Sequence, residues 1–204
     1  MNRDPITGIA ERLCAHAWID DARCGRDGAV IVLSQQGIDA LCRLGRQPLL
    51  DGLHTYLADA GHHAASWRWR LLESLPAALC PDALLQAPLP RDALLLHEQQ
   101  HEGAWNLALR VPLDLVYFPG HFPRAPVLPG VVQVAWALAF AAQRLDTPAR
   151  CHIMEALKFQ QLLRPGDRVD LALRYDAIRH TLHFAYRHGE KAYSSGRLAW
   201  SATA

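Results

Sequence analysis

Two stretches of this 204-residue chain hold side chains whose types and spacing could do chemistry. The first, His97-Glu98-Gln99-Gln100-His101, matches HExxH. On a helix that pattern puts two imidazoles on one face to hold zinc, with the glutamate as general base. The flanking residues predict strands instead: Ala93 to His101 and Ala104 to Val111, joined at Glu102-Gly103, with Leu107, Leu109 and Val111 alternating with Ala108 and Arg110. Two strand histidines four apart share a face but lie roughly 13 Å apart at about 3.3 Å per residue, too far to chelate one ion. No metal site is expected there. The second stretch, Tyr117-Phe118-Pro119-Gly120-His121-Phe122-Pro123 followed by Pro126-Val127-Leu128-Pro129-Gly130, sets a histidine among prolines and glycines. Prolines 119, 123, 126 and 129 remove four backbone donors, so the run must be irregular.

Other candidates carry less. Trp67-Arg68-Trp69-Arg70-Leu71 could stack on and pair with nucleic acid, but its alternation reads as a half-buried strand with two buried tryptophans. His62-His63 reads as part of a solvated loop. With 21 Lys+Arg against 20 Asp+Glu, the net charge of +1 offers no electrostatic case for nucleic acid or an anionic membrane. The five cysteines (Cys14, Cys24, Cys42, Cys80, Cys151) form no CxxC pair, which removes the usual zinc-knuckle and thioredoxin-like readings. The longest apolar stretch, Val131 to Ala142, is about twelve residues long, where a membrane span needs about 20. The first residues, MNRDPITGIAERL, carry no apolar run of signal-peptide length. A reduced, cytoplasmic protein with no membrane span is expected.

The elements that must position these groups follow from periodicity. Ile6, Ile9, Leu13 and Ala17 share a helical face. Gly25 to Gly28 is a turn and Ala29 to Leu33 a β-branched strand. Gly37–Leu44 and Pro48–Leu57 are helices, the second with Leu49, Leu50, Leu53 and Leu57 at helical spacing. A Pro-rich segment then separates two regions: a small α+β domain over 1–82, a linker over 83–92, and a second domain over 93–204. In the latter, the helix Val131 to Leu145 is followed by strands over Arg168–Tyr175, Thr181–Arg187 and Tyr193–Ser201, with turns at Pro165-Gly166-Asp167 and His188-Gly189-Glu190. A helix this apolar is expected to be buried on all sides, within an antiparallel sheet that wraps around it.

The run from Tyr117 through Pro123, continued by Pro126 to Gln133, closely resembles the signature loop and central-helix entrance of bacterial 3-hydroxyacyl-carrier-protein dehydratases. Met154-Glu155-Ala156-Leu157-Lys158-Phe159 and Arg164-Pro165-Gly166-Asp167 resemble the same family's strand-and-turn segment, in the right order. The likeness covers about residues 94 to 201. The Gln133 to Trp136 region looks most like the aryl-polyene and xanthomonadin-type members. The resemblance implies a hotdog fold, a dimer with sites at its interface, an acyl-carrier-protein substrate and no cofactor. It implies His121 as the catalytic residue and Phe118, Gly120, Phe122, Pro129, Gly130 and Val131 as the substrate-binding residues.

Dehydration of a 3-hydroxyacyl thioester needs a base for the α-proton and an acid for the departing hydroxyl. An imidazole on a proline-stiffened loop suits the first task, and amide groups at the start of a helix suit a polarised thioester carbonyl. The family's acid is an Asp or Glu fourteen residues after the histidine; this chain has Ala135 there. Gln133 and Gln143 do not titrate and cannot replace it. Since the family's sites combine the histidine of one subunit with the acid of the other, a homodimer would hold two broken sites. A heterodimer with a complete paralogous dehydratase would hold one whole site. The competing readings are a non-catalytic acyl-binding or scaffold subunit and a hotdog thioesterase, for which no convincing nucleophile system is present.

Residues 6 to 82 resemble the mobile C-terminal subdomain of acyl-adenylate-forming synthetases, most clearly in LLDGLHTYLADAGHHAASWRWRLLESLP. That family follows its Leu-Pro pair with a Gly-Lys whose lysine serves adenylation. Here Leu75-Pro76 leads into Ala77-Ala78, and the only lysines are Lys158 and Lys191, so adenylation is excluded. A carrier-protein docking role and a packing remnant stay open.

Overall fold

The computed structural model describes residues 5–62, 64, 66–78 and 80–200, with side chains from residue 8 onward. Of the positions read above, His63, Ser201 and the side chain of Ile6 lie outside the described residues. The chain divides into two compact units: Met1–Arg91 together with Pro112–Val127, and Asp92–Val111 together with Leu128–Ala204.

The first unit is a small α+β domain. Helix α1 (Pro5–Cys14) precedes strands β1 (Ile19–Gly25) and β2 (Gly28–Leu33); then come α2 (Gln35–Leu44), α3 (Arg46–Ala58), β3 (Arg68–Leu72) and α4 (Pro81–Gln86). The sheet order is β1-β2-β3, antiparallel across the first pair and parallel across the second. Every residue of β2, GAVIVL, is buried, as a central strand rich in β-branched residues should be. Helix α2 starts where the Ser34 hydroxyl accepts from the Gly37 amide at 3.2 Å, an N-cap that satisfies one orphan donor. The leucines of α3 point inward as their spacing predicts: Leu49, Leu50, Leu53 and Leu57 are all buried. Leu113, from the distant stretch Pro112–Val127, belongs to this same hydrophobic cluster.

Four features depart from expectation. Strand β1 was hidden because IDDARCG buries only every third residue around an irregularity between Ile19 and Asp21. Arg70 is buried at 5% exposure, because its guanidinium donates to the carbonyls of Leu84, Ala87 and Pro88 at and just beyond the end of α4. Of the two tryptophans expected to be buried, Trp69 is, and Trp67 is half-buried. The segment expected as a linker over 83–92 also holds most of α4, which buries Leu85.

The second unit carries β4 (Leu94–His101), β5 (Ala104–Arg110), α5 (Gly130–Arg144), β6 (Ile153–Phe159), β7 (Arg168–Asp176), β8 (Thr181–His188) and β9 (Lys191–Ala199). These six strands form one antiparallel sheet in the order β4-β5-β7-β8-β9-β6, and α5 lies against β7: the hotdog arrangement. The β4–β5 hairpin turns on Glu102 and Gly103, both at positive φ (49° and 77°), which such two-residue turns demand. Burial of α5 on all sides is corrected. Val132, Val134, Trp136, Ala137, Leu138 and Ala141 are buried, but Val131, Ala135, Ala139 and Gln143 form an exposed stripe at four-residue spacing. One open sheet covers only one side of a helix. The edge strands β4 and β6 are exposed along their whole length. Among the described residues, no helix is long and apolar enough to cross a membrane.

Candidate active-site residues

The loop bearing His121 is folded largely by its own backbone. The Gly120 amide donates to Tyr117, that of His121 to Phe118 and that of Ala125 to Phe122. The Val127 amide donates to the His121 carbonyl at 3.3 Å, and the His121 ring returns a bond from Nδ1 to the Val127 carbonyl at 3.2 Å. A carbonyl can only accept, so Nδ1 carries a proton in this bond, and the neutral ring with that proton has its lone pair on Nε2. His121 is therefore held in the tautomer that can act as a base through Nε2. Phe118 is buried beneath the loop, Gly120 is exposed, and the 59%-exposed Phe122 sets its ring 4.5 Å from the imidazole, with its backbone at a strained φ of 28°.

Upstream, Asp114 anchors the same loop. It is 2% exposed, and both carboxylate oxygens are used: Arg46 Nε donates to Oδ1 at 2.6 Å, while the Leu71 amide donates to Oδ2 at 3.2 Å. Arg46 also donates to the Trp69 carbonyl at 2.8 Å. Neither residue stood out in the sequence, because the pair is separated by 68 positions and matches no motif.

The start of α5 is built separately. Pro129 leads into Gly130, whose missing Cβ leaves room for the Phe159 ring; a Cβ there would meet that ring at 2.7 Å. The Val132 and Gln133 amides donate back to Pro129, which leaves the Gly130 and Val131 amides as helix-end donors. Gln133 is a buried polar residue with its side chain satisfied. Ser194 Oγ donates to its Oε1 at 2.6 Å, and its Nε2 donates to Leu128 at 3.2 Å. Its own carbonyl accepts from the Tyr186 hydroxyl at 2.8 Å, and burial pushes that phenol's pKa far up. These bonds fix the first turn of α5 to β8 and β9. Ala135 lies one turn further, exposed, and α5 contains no titratable side chain before Arg144.

The sequence-identified residues thus fall into two groups. Phe118, Gly120, His121 and Phe122 share one loop, and Pro129, Gly130, Val131 and Ala135 share one helix entrance. The HExxH histidines, His97 and His101, lie on exposed β4 as the alternation required. Among the described residues there is no cluster of three or more His, Cys, Asp or Glu suited to a metal ion.

A family model described as ApeI-like, ApeI dehydratase, matches residues 97–197. The 3-hydroxyacyl-[acyl-carrier-protein] dehydratase FabZ of Oleidesulfovibrio alaskensis is 37% identical over 99 residues, covering 44% of this chain and 62% of that protein. The FabZ of Oenococcus oeni is 34% identical over 100 residues, covering 43% of this chain and 71% of that protein. The chain thus spans about three fifths to seven tenths of these curated relatives. A solved structure, the dehydratase heterocomplex ApeI:P from Xenorhabdus doucetiae, aligns with a TM-score of 0.48 at 29% identity over 53% of this chain and 96% of that one.

Proposed function

Since the chain belongs to the 3-hydroxyacyl-[acyl-carrier-protein] dehydratase family, we propose that it is a dehydratase subunit that supplies the base and borrows the acid. The observation that carries this reading is the contrast between His121, held as its Nδ1–H tautomer, and an α5 with no proton donor at position 135 or before Arg144. The substrate is a 3-hydroxyacyl thioester on an acyl carrier protein. Nε2 of His121 takes a proton from C2, the C–H electrons form the C2–C3 double bond, and the hydroxyl leaves C3. A carboxylic acid from a partner subunit protonates that hydroxyl, so water departs and a 2-enoyl thioester remains. The imidazolium then returns its proton through solvent to the partner's carboxylate. The Gly130 and Val131 amides serve in this reading as donors to the thioester carbonyl as charge builds on it. The partner is a paralogous dehydratase that has kept its acid.

The finer assignment is to the aryl-polyene or xanthomonadin-type branch, supported by the Gln133 to Trp136 region and by the ApeI-like family match. The N-terminal domain is read as a synthetase C-terminal subdomain that has lost the Gly-Lys after Leu75-Pro76. Its three-stranded sheet flanked by helices supports that reading.

The test is a dehydration assay on a 3-hydroxyacyl-carrier protein, with the chain alone and co-expressed with paralogous dehydratases. The chain alone should be slower than the mixed dimer by the worth of a general acid, about 10²–10⁴-fold. His121→Ala in the mixed dimer should abolish the site it serves. Failure of any such paralogue to bind, or an unaffected rate in the His121→Ala mixture, sinks the proposal.

A further inference from the structure

The stretch that carries His121 packs into the N-terminal domain. Leu113 lies in that domain's hydrophobic cluster, and the Val116 amide donates to Pro90 at 3.0 Å. Two further contacts bracket the histidine, and both come from the dipeptide at the junction of α2 and α3, Gly45 and the first residue of α3. On the upstream side, Arg46 forks onto Asp114, seven residues before His121. On the downstream side, Gly45 lies hard against the Pro123 carbonyl, two residues after it. A Cβ on Gly45 would come within 1.7 Å of that oxygen, and Gly45 itself adopts φ 89°, which a side chain rarely tolerates. Asp114 is almost wholly buried and its other oxygen is held by the Leu71 amide of β3, so this anchor is set into the domain's own sheet.

We propose that the Gly45-Arg46 turn is a positioning device for His121: the N-terminal domain holds the histidine loop in shape and is neither a docking module alone nor a remnant. Arg46 and Gly45 are positioning residues, acting through the loop on the direction of the imidazole and the survival of its bond to Val127. The proposal rests on reading His121 as the base, but its geometric content can be measured without turnover.

The experiment uses the full chain labelled with ¹⁵N-histidine, the His121 signal being assigned by its loss in His121→Gln. Three quantities are read in Arg46→Met, Arg46→Lys and Asp114→Asn. They are the ring's two-bond N–H pattern, amide exchange of residues 115–127, and kcat and KM for a 3-hydroxyacyl-carrier protein in the mixed dimer. Arg23→Met serves as control, since Arg23 pairs with Asp21 in the same domain but at its surface. In Arg46→Met the Nδ1–H pattern should average between tautomers and loop exchange should quicken at least about tenfold. The kcat should fall by about 10²-fold with KM nearly unchanged, the usual cost of a small misplacement. Arg46→Lys should recover part of each, because an ammonium reaches one oxygen where the fork reaches two. Arg23→Met should change none of them. If Arg46→Met does not fold, Arg46→Lys and Asp114→Asn carry the same comparison. A parent-like ring pattern and parent-like loop exchange in these variants overturn the proposal, as does an equal loss in Arg23→Met. If the parent mixed dimer shows no dehydration, the functional reading fails while the ring and exchange measurements still decide the positioning role.

Discussion

From Tyr117 to Val127 the chain ties each bend with a backbone bond, fixes the His121 tautomer through Val127 and anchors its upstream end on a buried carboxylate. Along α5 from Val131 to Gln143, the outward side chains are a valine, two alanines and a glutamine, and none can pass a proton. Under the proposed function, the hydrogen bonding gathers where this chain would supply the base, and the exposed side of α5 stays bare where a partner subunit would supply the acid. The inward side of the same helix makes the point again, since Gln133 is satisfied on every polar side-chain atom while Ala135 touches solvent.

The comparison breaks most visibly at position 135. Ala135→Glu places a carboxyl on an exposed helix position with room for it, and should raise dehydration by the chain alone by about 10³-fold, the worth of a general acid. No gain would mean that the loop is not a working base. Next is the loop anchor: Asp114→Asn leaves the Arg46 guanidinium, only 23% exposed, without its carboxylate. Chemical denaturation should show a loss of about 3 kcal/mol, at the low end for a broken buried pair because Arg46 is not fully buried. The matched loss for Arg23→Met, at a surface pair, should be under about 1 kcal/mol. On the helix side, Gln133→Leu removes the acceptor of the buried Ser194 hydroxyl and should cost about 1–3 kcal/mol. An unchanged midpoint would show that the first turn of α5 does not need that network. The smallest effect is acid sensitivity of the N-terminal domain. Burial first, then the Arg12 charge, hold the pKa of His16 below the ordinary value of 6.5, and its Nδ1 accepts from the Trp18 amide. The unfolded chain therefore binds this proton more readily. The stability it contributes is complete above 6.5 and is lost as pH falls through the lower folded value. Replacing His16 with Asn should flatten the slope of Tm against pH in that window; an unchanged slope would remove His16 as its source.

Much of this was legible in the residues. The helix expected over Val131–Leu145 occurs as Gly130–Arg144, and the leucines of α3 face inward as their spacing requires. HExxH lies on a strand because Gly103 and period-two alternation outweigh a five-residue pattern. What escaped was governed by distance or by context. Strand β1 carries two adjacent aspartates and an irregular register, so no alternation marks it. Arg70 reads as a solvent-facing strand residue until the carbonyls around the end of α4 are known to surround it. The Arg46–Asp114 pair joins the two separate stretches of chain that make up the first unit, and periodicity is blind to such contacts. The exposed stripe on α5 was missed because composition reports how apolar a helix is, while coverage depends on how far the sheet extends around it.

The discontinuity of the first unit also has a consequence for how the protein is made. Its hydrophobic cluster is complete only when Leu113 arrives, after the chain has left to lay down β4 and β5. During synthesis the N-terminal domain must wait for a later stretch of polypeptide, and closing that gap costs loop entropy before any contact repays it. The two domains therefore cannot mature as independent beads on a string. A cut at residue 92, the boundary that composition suggests, would leave the first piece short of its last core leucine and the second with a histidine loop cut off from its anchors.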